Sequence, residues 1–190
     1  MKLLDQRERV NQGAWRLDRS RVVRFHSGMP EAVGEPSGDA LPPVLARTLR
    51  QFKMLEREDK MQALLAWSRK LEPLPERLAA LDRASFTVPE CQTRVDIFPE
   101  RRDDGALHFY ADVNARQSPT VAAVLAIVFA AVNDQPPSVT LSLPQDVVRL
   151  LMQDIGLGAR ESGLNAMIQR LKRHAREMDT SSAPSSSIPL

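Results

Sequence analysis

The pair Ser118-Pro119 opens a run of apolar residues that dictates how the rest of the chain is arranged. Serine is a favoured N-cap, and proline suits the first helical position because the N–H it lacks would be unpaired there. Val121, Val124, Leu125, Val128 and Phe129 follow at helical spacing, and Asn133-Asp134-Gln135-Pro136-Pro137 ends the segment. A helix this apolar belongs at the centre of a core. The stretch Val121 to Val132 is too short for a membrane span, which takes about 20 residues. The remaining elements must be arranged around it.

Upstream, Leu45, Leu49 and Phe52 recur at helical spacing from about Val44. A second helix is expected from Asp59, a good N-cap, with Met61, Leu64, Leu65 and Leu71 on its apolar face. Pro73 and Pro75 end it. Three strands are expected at about 85–89, 92–98 and 106–112. Between the last two, Arg101-Arg102-Asp103-Asp104-Gly105 carries an Asp-Gly hairpin signal. In the third strand Leu107, Phe109 and Ala111 alternate with His108, Tyr110 and Asp112, as in a sheet with one covered and one wetter face. Downstream, Pro144 opens a helix with Val147, Val148, Leu150 and Leu151 apolar, which Gly156 and Gly158 end. A last helix runs from about Glu161 to Met178, with Leu164, Met167, Ile168 and Leu171 on one face. The order predicts an α+β domain: a small three-stranded antiparallel sheet with helices packed on one face.

That domain spans residues 44–178. Residues 1–43, with scattered arginines and a Gly/Pro-rich passage, read as a flexible N-terminal extension, and 179–190 as a flexible Ser/Pro tail. A formal net charge of +2 does not make a nucleic-acid-binding surface. The late cluster Arg170, Lys172, Arg173, His174 and Arg176 reads instead as cations complementing the dipole near a helix C-terminus. No signal-peptide segment opens the chain, and Asp5, Glu8 and Asp18 argue against an organelle transit peptide. A reducing, cytoplasmic location is expected, with neither membrane nor nucleic acid as partner.

Cys91 is the only cysteine. It can form no internal disulfide and cannot by itself bind a structural zinc. It falls in Val88-Pro89-Glu90-Cys91-Gln92-Thr93-Arg94-Val95, in the turn between the first two expected strands. Turn tips often carry function, whereas free cysteines are also among the most buried residue types. Cys91 is thus either a nucleophile or carrier, or a small apolar residue filling a gap. A protease-type dyad would need a base beside it, and the available histidines are His26, His108 and His174. Thr87 lies four residues before Cys91 rather than the three of the peroxiredoxin pattern, and Gly-rich phosphate loops are absent.

Four segments in order around Cys91 resemble the SufE family, the sulfur-accepting partners of cysteine desulfurases in iron–sulfur cluster assembly. They are Phe52 with Lys60-Met61-Gln62-Ala63-Leu64-Leu65; Leu71-Glu72-Pro73-Leu74-Pro75, similar to Leu-Pro-x-Leu-Pro; Val88-Pro89-Glu90-Cys91-Gln92-Thr93-Arg94-Val95, similar to Val-x-Gly-Cys-x-Ser-x-Val; and Arg160-Glu161-Ser162-Gly163-Leu164-Asn165-Ala166-Met167-Ile168, similar to Arg-x-x-Gly-Leu/Phe. The resemblance implies a SufE/IscU-like fold. It also implies that Cys91 accepts persulfide sulfur from a SufS-like desulfurase and passes it to an iron–sulfur scaffold. Such a protein is a sulfurtransferase-type carrier and activator rather than a stand-alone enzyme. It needs no cofactor of its own, the pyridoxal phosphate being the partner's. Arg160 then either stabilises an anion at Cys91 or braces the last helix through an ion pair.

Several positions depart from the family pattern. Glu90 stands where the family has glycine, which places a carboxylate beside the thiol. Asp96 replaces an aromatic residue, Ala115-Arg116-Gln117 replaces Asp-Ser-Asp, and Ala123 replaces a helix glycine. The changes at Glu90, Asp96 and residues 115–117, taken to cluster around the docking face, motivate an alternative: a non-catalytic SufE-like module that binds and modulates a desulfurase.

Overall fold

The structure, a computed structural model, describes residues 41–153, 155 and 160–180. Residues 1–40 of the expected extension, the tail beyond Thr180, His26, and the helix stop at Gly156 and Gly158 lie outside the described residues. Chain order is α1 (Pro43–Met54), α2 (Arg57–Ser68), α3 (Glu76–Ala79), a 3-10 turn (Arg83–Ser85), β1 (Val95–Arg101), β2 (Leu107–Val113), α4 (Pro119–Val132), α5 (Pro137–Leu141), α6 (Val147–Met152) and α7 (Glu161–Thr180). The class is α+β, as expected.

Helix α4 is buried almost all round, from Thr120 to Phe129 and again at Ala131 and Val132. A helix without a polar face has to be enclosed. Helices α1 and α2 and strand β2 pack against it. The small side chains Ala122, Ala123 and Ala126 leave room for close approach. Helix α2 buries only part of the face expected: Leu64 turns inward, whereas the helix ends at Ser68, before Leu71, which packs on the core from the following segment. Lys60, Leu64 and Ser68 are buried, while Met61 and Leu65 stay exposed. Lys60 buries its aliphatic stem and extends Nζ to the Gln153 carbonyl at 3.4 Å. Ser68 satisfies its hydroxyl on the Leu65 carbonyl at 2.8 Å. Both polar residues can therefore sit on the buried stripe.

The sheet has two strands, not three. β1 and β2 pair antiparallel, with Val95 opposite Val113 and Arg101 opposite Leu107. Gly105, at φ +86°, turns the hairpin at the Asp-Gly signal. The expected first strand contributes only an isolated bridge, Thr87 to Asp96. Its early residues are taken by the 3-10 turn that Asp82 caps, and Pro89 has no N–H to continue a ladder. The outer edge of β2 is covered in turn by chain leaving α4. Asn133 exchanges two side-chain hydrogen bonds with the Phe109 backbone (2.9 and 3.1 Å), and Leu107 bridges Gln135. Both exposed edges are thereby short.

The sheet's two faces are built differently. Val95, Ile97, Leu107, Phe109 and Ala111 belong to the helical core, with the Phe109 and Phe129 rings 6.1 Å apart. On the other side, the segment from Glu72 to Thr87 crosses the sheet mainly through charged pairs. Glu72 meets His108 (3.0 Å), Arg77 meets Glu100 (2.6 Å), and Arg83 joins Asp96 (2.9 Å) and Asp112. Phe86 packs at a tilt against Phe98, with ring centroids 4.6 Å apart. Helix α7 packs along β1 and buries Leu164, Met167, Ile168 and Leu171, the face expected from its spacing.

Candidate functional site

The Cys91 loop is closed at its base by the backbone. The Val88 N–H donates to the Val95 carbonyl (2.9 Å), and the Cys91 N–H donates to the Val88 carbonyl (3.2 Å). Beneath that closure Asp96 is fully buried. It accepts hydrogen bonds from the Thr87 hydroxyl (2.5 Å) and from Arg83 (2.9 Å), with Arg94 Nε at 3.4 Å. Burial pushes the Asp96 carboxyl up; the Thr87 and Arg83 hydrogen bonds, with the Arg94 and Arg83 charges, outweigh it and hold the group below the usual carboxylate range. The acid that replaces the family's aromatic residue is thus a structural anchor and is not part of an exposed docking face.

Two long helices meet the loop with their N-termini. From α4, Val121 lines the Cys91 pocket, and buried Ser118 shares a hydrogen bond with the Thr93 hydroxyl at 2.8 Å. From α7, Gly163 lies directly against the cysteine. A Cβ there would stand 3.1 Å from Cys91 Cα and 3.4 Å from its Cβ and Sγ. The pocket between these walls has a volume of about 110 Å³ and is also lined by Glu90, Gln92, Arg160 and Ser162. The structure thus brings Cys91 and Arg160 to one cavity. Arg160 is exposed, just ahead of α7, and takes part in no ion pair among the described residues. The bracing role considered for it has no partner there. An anion in this cavity would meet a guanidinium and the partial positive charge of two helix N-termini.

Glu90, also exposed, lines the same cavity and sets a carboxylate against an anion there. Its charge acts on Arg170 of α7, whose guanidinium is pushed down by burial and by Arg173 while Glu90 and Glu177 oppose the shift. Arg170 also donates to the Ser85 carbonyl at 3.1 Å, tying α7 to the chain leading into the loop. Another of the late cations, Lys172, is buried and donates to the Leu143 carbonyl. Neither ring nitrogen of His108 serves the thiol: Nδ1 faces Asp134 (2.8 Å) and Nε2 faces Glu72 (3.0 Å). His174 is buried behind Phe86, and burial pushes its imidazole down. Among the described residues no group of three or more His, Cys, Asp or Glu side chains could hold a metal ion. Within the same residues no helix is long and apolar enough to cross a membrane.

Two features of the site escape the sequence patterns. Ser118 reads as an N-cap, yet its side chain makes no cap bond and turns to Thr93 instead. Gly163 reads as a packing glycine, and only the fold shows that its neighbour is the cysteine. Gly163→Ala is expected to shift the loop by a few tenths of an ångström. The gain in helix propensity, about 1 kcal/mol, offsets the strain, so Tm should change little. Cys91 alkylation and sulfur uptake should slow by about tenfold, since small displacements of a reacting group are costly. Stopped-flow alkylation beside a thermal melt checks this; unchanged rates would show that the loop absorbs the methyl group.

Comparison with known proteins agrees with this architecture. The family model SufE, described as an Fe-S metabolism associated domain, matches residues 46–175. Uncharacterized SufE-like proteins from two Mycobacterium tuberculosis strains, CDC 1551 and H37Rv, are each 33% identical over 147 residues, covering 74% of this chain and 96% of theirs. The solution structure of a hypothetical protein from Thermus thermophilus is similar at a TM-score of 0.64 and 27% identity, covering 74% of this chain and 99% of that one. The chain belongs to the SufE family and is a divergent member, associated with iron–sulfur metabolism.

Proposed function

We propose that this protein carries sulfur as a persulfide on Cys91, taking it from a SufS-like cysteine desulfurase and handing it to an iron–sulfur assembly scaffold. The observation that carries the reading is the pocket beside Cys91, which also holds Arg160 and the start of two helices. The Cys91 thiolate attacks the terminal sulfur of the desulfurase persulfide. A new S–S bond forms at Cys91, the old one breaks, and the desulfurase cysteine leaves as thiolate with the electron pair. The transferred sulfur then releases its proton to solvent, leaving a persulfide anion on Cys91, and no external oxidant or reductant is consumed. Arg160 and the helix N-termini stabilise the negative charge of the bound persulfide. The protein supplies the accepting thiol and no cofactor; pyridoxal phosphate resides in the desulfurase. A reducing compartment such as the cytoplasm keeps the thiol available.

The test is intact-mass spectrometry after incubation with the desulfurase, pyridoxal phosphate and cysteine, without reductant. Wild-type protein is expected to gain one sulfur atom. Arg160→Ala should gain it about tenfold more slowly, the factor a charge-assisted contact is worth. Binding without any mass gain would replace the carrier by the modulator. The burial of Asp96 already removes one of the substitutions that favoured that alternative.

A further inference from the structure

Ser118 occupies the N-cap position of a 14-residue helix, where a serine side chain ordinarily accepts from a backbone N–H two or three residues on. It makes no such bond here. The Ser118 backbone is engaged normally: its N–H donates to the Asn114 carbonyl (2.9 Å), and its carbonyl accepts from Ala122 (3.1 Å). The hydroxyl alone is diverted, to Thr93 at 2.8 Å. Thr93 lies two residues after Cys91 and lines the same pocket. Among the described residues this side-chain hydrogen bond joins the Cys91 loop to the start of α4.

We propose that Ser118 and Thr93 are positioning residues for Cys91: their shared hydroxyl hydrogen bond holds the loop against the N-termini of α4 and α7. The loop contacts α7 through Gly163, a surface without a side chain to grip it. Contact with Gly163 prevents the loop from moving inward, and the hydroxyl pair prevents it from moving outward. The Ser118 hydroxyl has an alternative when the bond breaks, because the N–H groups of Thr120 and Val121 are then available for ordinary capping. In the structure the hydroxyl makes the Thr93 bond and not the cap, so the latched arrangement is the favoured one, and opening leaves the Thr93 hydroxyl without this partner. The consequence for sulfur transfer rests on the persulfide reading, whereas the latch itself does not.

The experiment therefore uses no desulfurase. Full-length protein is alkylated with iodoacetamide and with a bulky maleimide, and the ratio of the two rates is taken. Both reagents consume the same thiolate, so the ratio cancels ionisation and reports access to Cys91. Ser118→Ala and Thr93→Val are each expected to raise the bulky-to-small ratio by about fivefold, the population change for losing one net hydrogen bond. The double variant should go no further, and Ser118→Thr and Thr93→Ser, which keep a hydroxyl, should restore the wild-type ratio. An unchanged ratio in both single variants, effects that multiply in the double variant, or failure of both hydroxyl-bearing variants to restore the ratio would each overturn the proposal. If Ser118→Ala does not fold, Thr93→Val and Thr93→Ser read the same bond from the loop side. Loss of sulfur uptake with an intact latch would count against the persulfide reading alone.

Discussion

Cys91→Ser is expected to abolish sulfur uptake and all stimulation of desulfurase sulfide release, while binding to the desulfurase survives. The substitution changes one atom. Serine has no sulfur through which to hold a sulfane atom, and its hydroxyl does not exchange with a persulfide. Cys91 is half-buried at the edge of the core, so the change should cost less than about 1 kcal/mol and leave the fold intact. Titration of desulfurase activity with wild-type and variant protein makes the comparison, with binding followed separately by calorimetry. Full stimulation by the variant would assign the activity to docking alone.

Asp96→Ala is expected to destabilise the domain by about 3 kcal/mol, because it removes the buried acceptor shared by Thr87 and Arg83. Thr87 keeps one partner, the Arg83 carbonyl at 3.0 Å, but its bridge to β1 loses its side-chain support. Asp96→Asn should cost less, since the amide keeps an acceptor and loses only the charge. The effect depends on pH with a definite sign. The folded Asp96 carboxyl lies below its ordinary value, so the native state releases this proton more readily than the unfolded chain. Its contribution is fully present above the unfolded value of about 3.9 and is lost as pH falls through the folded value. Urea unfolding of the wild type from about pH 6 to below pH 3 should show this acid loss. In Asp96→Asn the same component should be missing. Superimposable pH profiles would mean that another carboxylate carries the dependence.

The local elements were legible where chemistry acts over a few residues. Ser118-Pro119 starts α4, Asp104-Gly105 turns the hairpin, and Leu164, Met167, Ile168 and Leu171 mark the buried stripe of α7. A cap, a turn and a periodic stripe each involve near neighbours in the chain, and their physics does not wait for the fold. The resemblance carried by four ordered segments around one cysteine likewise led to the SufE family.

Tertiary structure decided what depended on distant partners. In α2, apolar Met61 and Leu65 sit beside Leu64, so spacing alone offered more than one inward face; packing against α4 selected Lys60, Leu64 and Ser68. The expected first strand shrank to one bridge because a capped 3-10 turn and Pro89 limited it on either side. Asp96 acquired its anchoring role only when Arg83, thirteen residues away, crossed the sheet to meet it. The hydroxyl of Ser118 was free to cap its own helix or bind elsewhere, and the position of Thr93, 25 residues earlier, settled the choice. Gly163 stands 72 positions after Cys91, as the two residue numbers give, and nothing local could announce that a missing side chain there makes room for the thiol. The sequence by itself determined the helices, the hairpin and the identity of the candidate sulfur carrier; the tertiary structure decided what surrounds that sulfur, because contacts between distant segments exist only after the chain has folded.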